Sequence, residues 1–355
     1  MNKKHLFSIF RLGFAVLSIF VFALTFSCSN GSGGSNTTTT TTPDTETPAT
    51  SILPGVKGNI VAYHPEYRSV PTDAQLERLT HLVLFSITPI DHKISLPSGG
   101  GWVSNINNVV NRAHERGVKV IIALGGWDRT GSFPDSVKPA NRQTFVNNII
   151  NFVNQYNLDG VDIDWEYPPD NDTDFQDFMI ALKNALGSKR LSFAIGASGH
   201  QYTDATYNAL DALHLMTYDG LTSSRPHHAD MTWSKGVVND WSQKLTPEKI
   251  FYGVPFYGRT GTSWQNWEED TYAKIISSNQ AVLSQTNNKP NHTANGVTGT
   301  YWYDGIPQVK EKTNYAWDKG IGGIMIWETG QDVAATSEFS LLNAIYQESM
   351  RLRGQ

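Results

Sequence analysis

From about Pro54 onward the chain alternates between two patterns. Short apolar, β-branched runs recur at Asn59–Tyr63, His81–Ile87, Val118–Leu124, Gly160–Trp165, Leu191–Gly196, Ala212–Met216, Ile250–Val254 and Ile321–Trp327. Between them lie amphipathic stretches of helical character, such as Ser104–Arg116, Arg142–Tyr156, Asp174–Leu186 and Ser337–Arg351. Several runs are almost continuously apolar, as in Val118-Lys119-Val120-Ile121-Ile122-Ala123-Leu124. Such runs indicate strands buried on both faces, hence a parallel sheet. Eight strand–helix beats over roughly 300 residues predict an α/β fold, a (β/α)8 TIM barrel. A doubly wound open sheet is the alternative, but no G-x-G-x-x-G follows the first strand.

The first residues follow neither pattern. Lys3, Lys4 and Arg11 form a basic opening, and Leu12 to Phe26 is an apolar run. At about 15 residues it is short for a membrane span, which needs roughly 20. It predicts a signal peptide over residues 1–27. The run stops at Thr25-Phe26-Ser27-Cys28, which resembles a bacterial lipoprotein signal and makes Cys28 a lipidation site. Thr25 departs from that pattern, which prefers Leu. Residues 28–53, with the threonine run Thr37–Thr42 and Pro43 and Pro48, hold nothing that packs a core and predict a linker. Residues 54–355 are then the barrel. The expected location is outside the cytoplasm, anchored to the cell envelope through Cys28 or else secreted.

Composition narrows the function. With 28 Lys+Arg against 33 Asp+Glu the net charge is −5. Loss of Lys3, Lys4 and Arg11 with a signal peptide makes the balance 25 against 33. That excludes a nucleic-acid binder driven by positive charge. A single cysteine precludes an intrachain disulfide and a Cys-based zinc site. Ten Trp are unusual and suggest flat apolar platforms, for which sugars are the natural ligands.

In a barrel of this kind function sits at the C-terminal ends of the strands. Tyr63, Phe85, Gly126-Trp127, Glu166-Tyr167, Tyr218-Asp219, Tyr257 and Trp327-Glu328 stand there. The decisive segment is Leu158-Asp159-Gly160-Val161-Asp162-Ile163-Asp164-Trp165-Glu166-Tyr167. Strand side chains alternate faces, so Asp162, Asp164 and Glu166 share one face and Val161, Ile163 and Trp165 the other. Three acids aimed into a barrel cannot all remain charged without large cost. A hard cation could hold them, but no second cluster of acids or histidines has ligand-like spacing. His227-His228 reads as a solvated loop pair. The remaining reading is proton transfer. Crowded like charges keep a proton on the group at neutral pH, with Glu166 as general acid and Asp162 and Asp164 sharing a proton behind it.

Asp159-x-x-Asp162-x-Asp164-x-Glu166 resembles the signature of glycoside hydrolase family 18, the chitinases and their relatives. Leu124-Gly125-Gly126-Trp127, Met216-Thr217-Tyr218-Asp219, Gly253-Val254-Pro255-Phe256-Tyr257-Gly258-Arg259 and Gly323-Ile324-Met325-Ile326-Trp327-Glu328 are similar to further family motifs, in order. The resemblance covers Asn59 to Gln355. It implies endo-acting hydrolysis of β-1,4-linked N-acetylglucosamine glycans, with retention and with no cofactor or metal. The substrate's own acetamido group would be the nucleophile. It further implies that Glu166 protonates the leaving oxygen, Asp164 stabilises the oxazolinium ion and Tyr218 holds the acetamido group. Trp327 would floor the cleft, with Asp219, Met216, Tyr257, Arg259, Trp127, Tyr63 and Phe85 around the sugar.

The partner expected is therefore an N-acetylglucosamine-containing polysaccharide or glycan, with membrane contact only through the lipid anchor. Two other readings share the fold: an endo-β-N-acetylglucosaminidase acting on N-glycan cores, and a non-catalytic lectin. The lectin reading is weakened because Glu166, Asp164 and Tyr218 are all present.

Three departures from the family pattern stand out. Ala123 occupies a position usually held by Ser, which alters the support of Asp162. Gly220-Leu221 follows Asp219 in place of Phe-His. The span Thr260–Gly320 is short for a full-size α+β insertion, which predicts an open groove suited to internal cleavage. Trp264 and Trp267 in that span are equally a product-side platform or a packed loop.

Overall fold

The computed structural model describes residues 58–197, 201–263 and 266–355. The predicted signal, Cys28, the linker and Trp264 lie outside the described residues.

Eight strands form a closed barrel: β1 (Asn59–Pro65), β2 (His81–Ile87), β3 (Lys119–Gly125), β4 (Gly160–Asp164), β5 (Arg190–Ile195), β6 (Ala212–Leu215), β7 (Ile250–Pro255) and β12 (Gly323–Trp327). Their order around the barrel is β1-β12-β7-β6-β5-β4-β3-β2, every pairing parallel. The TIM-barrel expectation holds, and the eight predicted runs coincide with its strands to within about two residues.

Alternation along the strands divides the apolar residues into two clusters. Ile60, Ala62, Val161 and Ile163 belong to a layer between strands and helices. Val61, Tyr63, Phe85, Ile121, Ala123, Phe251 and Met325 fill the barrel interior. Asp162 and Asp164 therefore point inward while Val161 and Ile163 bind β4 to the outer layer. Helices Ile106–Glu115, Pro139–Gln155, Thr173–Leu186, Met231–Trp241, Ile306–Lys319 and Leu341–Arg353 complete the outer ring. Their starts follow sequence signals: Asp172, Asp230 and Ser340 each accept a backbone N–H of the first turn.

Between β7 and β12 the chain leaves the barrel. It forms β8 (Tyr257–Ser263), β9 (Asn266–Thr271), β10 (Asn288–Ala294) and β11 (Val297–Trp302), an antiparallel sheet in the order β10-β11-β8-β9. No large insertion domain is built, as expected, but the short span does carry this small sheet. Its strands were not legible in the sequence. β9 reads Asn-Trp-Glu-Glu-Asp-Thr and β10 Asn-Lys-Pro-Asn-His-Thr-Ala, without an apolar alternation.

Candidate active site

The acids sit at the inner surface of β4 and just beyond its end. Asp162 and Asp164 are buried, whereas Glu166 lies past the last strand residue and is partly exposed at the mouth. Gly125 and Gly126 on the neighbouring strand permit this. Both have left-handed φ (+101° and +109°), and the Gly126 N–H donates to Asp164 O at 2.5 Å. A Cβ on Gly126 would meet the Phe85 ring at 2.4 Å, so only glycine fits.

Asp162 is held from several strands. Tyr63 Oη donates to its Oδ2 at 2.7 Å, Ser192 Oγ donates to Oδ1 at 2.5 Å, and His214 Nδ1 lies 3.1 Å from Oδ1. Ser192 and Ala123 are the register neighbours of Asp162 on its two sides. The hydroxyl absent from β3 is thus supplied from β5. Burial, then the charges of Glu166 and Asp162, push the Asp164 carboxyl well up. Glu166 is pushed up to about 7, chiefly by burial, with Asp219 and Asp128 adding to the rise; hydrogen bonds from Tyr167 and the Trp127 backbone oppose it. Crowding among three acids was the cause expected for the retained proton. Here burial leads, and the charges that add to it for Glu166 come from other strand ends.

Tyr218 is buried beside this row, its phenol pushed up by burial and then by Asp164. Asp219 follows at φ +63°. It accepts from Tyr257 Oη at 2.5 Å, pairs with Arg259 Nη1 at 3.0 Å and lies 3.3 Å from His228 Nδ1. Burial alone would raise its carboxyl, but these partners outweigh burial and hold it below the ordinary range. Met216 is partly buried against the interior cluster.

Trp327 is partly exposed at the end of β12, which stands directly across the ring of eight from β4. Its ring meets Phe85 edge-on at 4.7 Å and Tyr63 at 5.7 Å. Tyr63, Phe85 and Tyr257 are buried, while Trp127 is 63% exposed.

Several contributors carried no sequence signal. His227 and His228 are buried, contrary to the solvated pair expected from their loop position. Their partners, Gln308 and Tyr303 for His227 and Asp219 for His228, arrive from other elements. Arg68 reaches Glu328 at the end of β12 through Nε at 2.8 Å. Glu269 on β9 accepts from Arg259 at 3.2 Å. Ser192 and His214 likewise meet Asp162 only because the barrel closes.

A row of acids at one strand end, with one carboxyl raised to about 7 across the barrel from the partly exposed ring of Trp327, is chemically able to pass a proton to an oxygen of a bound substrate. The profile of the glycosyl hydrolases family 18 matches residues 59–332. The chain belongs to glycoside hydrolase family 18. It is thus a glycoside hydrolase, and relatives agree over most of its length. It is 24% identical over 331 residues to endochitinase 1 of Metarhizium robertsii, covering 74% of this chain and 77% of that one. Over 320 residues it is 27% identical to chitotriosidase-1 of Mus musculus, covering 73% and 68%. The crystal structure of the family 18 chitinase ChiB from the chitin utilization locus of Flavobacterium johnsoniae superposes with a TM-score of 0.67 at 26% identity, covering 83% and 95%.

Proposed function

We propose that this family 18 hydrolase cleaves chitin or chito-oligosaccharides internally, at β-1,4 bonds between N-acetylglucosamine units, with retention of configuration. The observation that carries the reading is the placement of Glu166 at the barrel mouth, just past β4 and beside the buried Asp164 and Tyr218, with burial raising its carboxyl. The names of the related endochitinase and chitinases support the substrate class.

In the first step the carbonyl oxygen of the substrate's 2-acetamido group attacks the anomeric carbon. The glycosidic bond breaks, and the Glu166 proton passes to the departing oxygen. Asp164 accepts the acetamido N–H and stabilises the positive oxazolinium ion, while the Tyr218 hydroxyl fixes the group. Glu166, now a carboxylate, takes a proton from water, whose oxygen attacks the anomeric carbon and reopens the ring. Two displacements at one carbon retain its configuration. Intramolecular attack is favoured because the nucleophile is already oriented, an advantage reaching effective molarities of about 10⁵ M or more.

Trp327 forms the floor, and Asp219, Arg259, Met216 and Trp127 add contacts around the sugar. The exported, Cys28-anchored form would place this chemistry outside the cytoplasm. The test is incubation with chitotetraose and with a high-mannose glycoprotein, reading products and their initial anomer by NMR. β-Anomeric chito-oligosaccharides support the reading. Release of glycans from the glycoprotein alone, or equal turnover of substrates lacking the acetamido group, overturns it.

A further inference from the structure

Below the acids the largely apolar barrel interior also holds buried polar groups. His214 on β6 is completely buried, and its Nδ1 has two neighbours: Asp162 Oδ1 at 3.1 Å and Tyr63 Oη at 2.9 Å. Tyr63 has one hydroxyl hydrogen, and it is given to Asp162 Oδ2 at 2.7 Å. The contact between Tyr63 oxygen and His214 Nδ1 therefore needs a hydrogen on nitrogen. The opposite tautomer would set a nitrogen lone pair against a carboxylate oxygen and a tyrosine oxygen at once. It would also place an N–H on Nε2, which is buried and has no hydrogen-bond partner among the described residues.

We propose that His214 is a positioning residue for the reaction: a neutral imidazole whose Nδ1–H is shared between Asp162 and Tyr63, fixing the carboxylate that stands behind Asp164. The inference rests on the catalytic reading above, in which Asp164, next along β4 on the same face as Asp162, accepts the acetamido N–H.

The surroundings are consistent from every side. Tyr63 faces the imidazole from β1, and its ring lies 5.8 Å away. Asp162 faces it from β4, with Asp164 one turn of the pleat beyond. On β5, Ser192 donates to the same Asp162 oxygen and Arg190 contributes a positive charge; from β2, His81 is the other ionisable group. Phe251 on β7 packs its ring 5.4 Å from His214 and 4.9 Å from the Arg190 guanidinium. Burial, joined by Arg190, outweighs the pull of Asp162 and holds the imidazole below its ordinary range. Ala123, the β3 neighbour of Asp162, offers no donor, so the carboxylate depends on Tyr63, Ser192 and His214.

The test uses full-length protein and three variants. His214→Leu removes the donor. His214→Asn keeps an N–H at the place of Nδ1. Ala123→Ser combined with His214→Leu offers a hydroxyl from the other side. On a fluorogenic chitobioside His214→Leu should lose at least about tenfold in kcat with KM little changed. Removing a donor to the carboxylate loosens its place behind Asp164, so the loss should fall on kcat and leave KM nearly unmoved. His214→Asn should keep most of the native kcat, and Ala123→Ser should restore part of what His214→Leu loses.

If His214→Leu does not fold, His214→Gln replaces it, since its longer arm cannot set an amide at that place. A second readout needs no substrate. In ¹⁵N-histidine spectra, the signal lost in His214→Asn should show Nδ1 protonated and Nε2 bare from pH 5 to 8. An Nε2–H tautomer, or an unchanged kcat in His214→Leu, overturns the inference. A native protein with this tautomer but no turnover of chito-oligosaccharides overturns the substrate reading instead.

Discussion

The guanidinium of Arg259 lies 3.6 Å above the ring of Trp267. One residue comes from β8 and the other from β9, so this stack joins the inserted sheet to the acid that Arg259 also pairs with, Asp219. Of the two sequence readings for Trp267, platform or packed loop, one ring face is thereby occupied, while the residue keeps 39% exposure.

Trp267→Ala should free Arg259 and weaken its hold on Asp219. A desolvated cation–π contact contributes about 1–2 kcal/mol, so we expect KM for chito-oligosaccharides to rise about five- to thirtyfold with kcat changed less. Steady-state kinetics on a soluble oligomer check this, and an unchanged KM contradicts it.

In the proposed reaction Glu166 would act as an acid only while protonated. Its carboxyl is raised to about 7, so kcat/KM should hold below that pH and fall as pH climbs through it. Asp128 is one of the charges that raise Glu166; Asp128→Asn removes it and should move the alkaline limb to lower pH. Asn tolerates the φ of +59° found there. Glu166→Gln should cost about 10²–10⁴ in kcat, seen in single-turnover assays.

Asp304 and Lys312 form a fully buried pair at 2.6 Å, and Lys312 Nζ also reaches Ala229 O at 2.9 Å. Removing one partner from such a pair leaves an uncompensated charge and costs about 3–5 kcal/mol. Lys312→Met should lower the denaturant midpoint accordingly. The double variant Asp304→Leu, Lys312→Met should recover much of the loss.

The predicted lipid on Cys28 has a direct test. Mass spectrometry of the membrane fraction should find a diacylated N-terminal cysteine, and Cys28→Ser should release the protein from that fraction. An unmodified Cys28 in the extracted protein would remove the anchor.

What could be read from the chain alone follows from where each constraint acts. The barrel strands were legible because burial on both faces leaves uninterrupted apolar runs. The acids Asp162 and Asp164 were legible because their period-two spacing sets them apart from Val161 and Ile163. The burial of His228 was not, since it depends on a fold that brings Asp219 and Tyr257 against it. Nor was the support of Asp162: Ser192 and His214 lie 30 and 52 positions further along the chain, and only strand register joins them to it. The small sheet escaped because its strands are polar and largely solvated, so no apolar pattern marks them.

β7 and β12 are neighbours in the barrel, so the excursion that leaves after Pro255 returns to the seam it left. That seam lies on the far side from the carboxylates of β4. The excursion's first strand nonetheless reaches back to the site, for Tyr257 and Arg259 both hold Asp219, so only its outer strands β10 and β11 are free to vary without touching that acid.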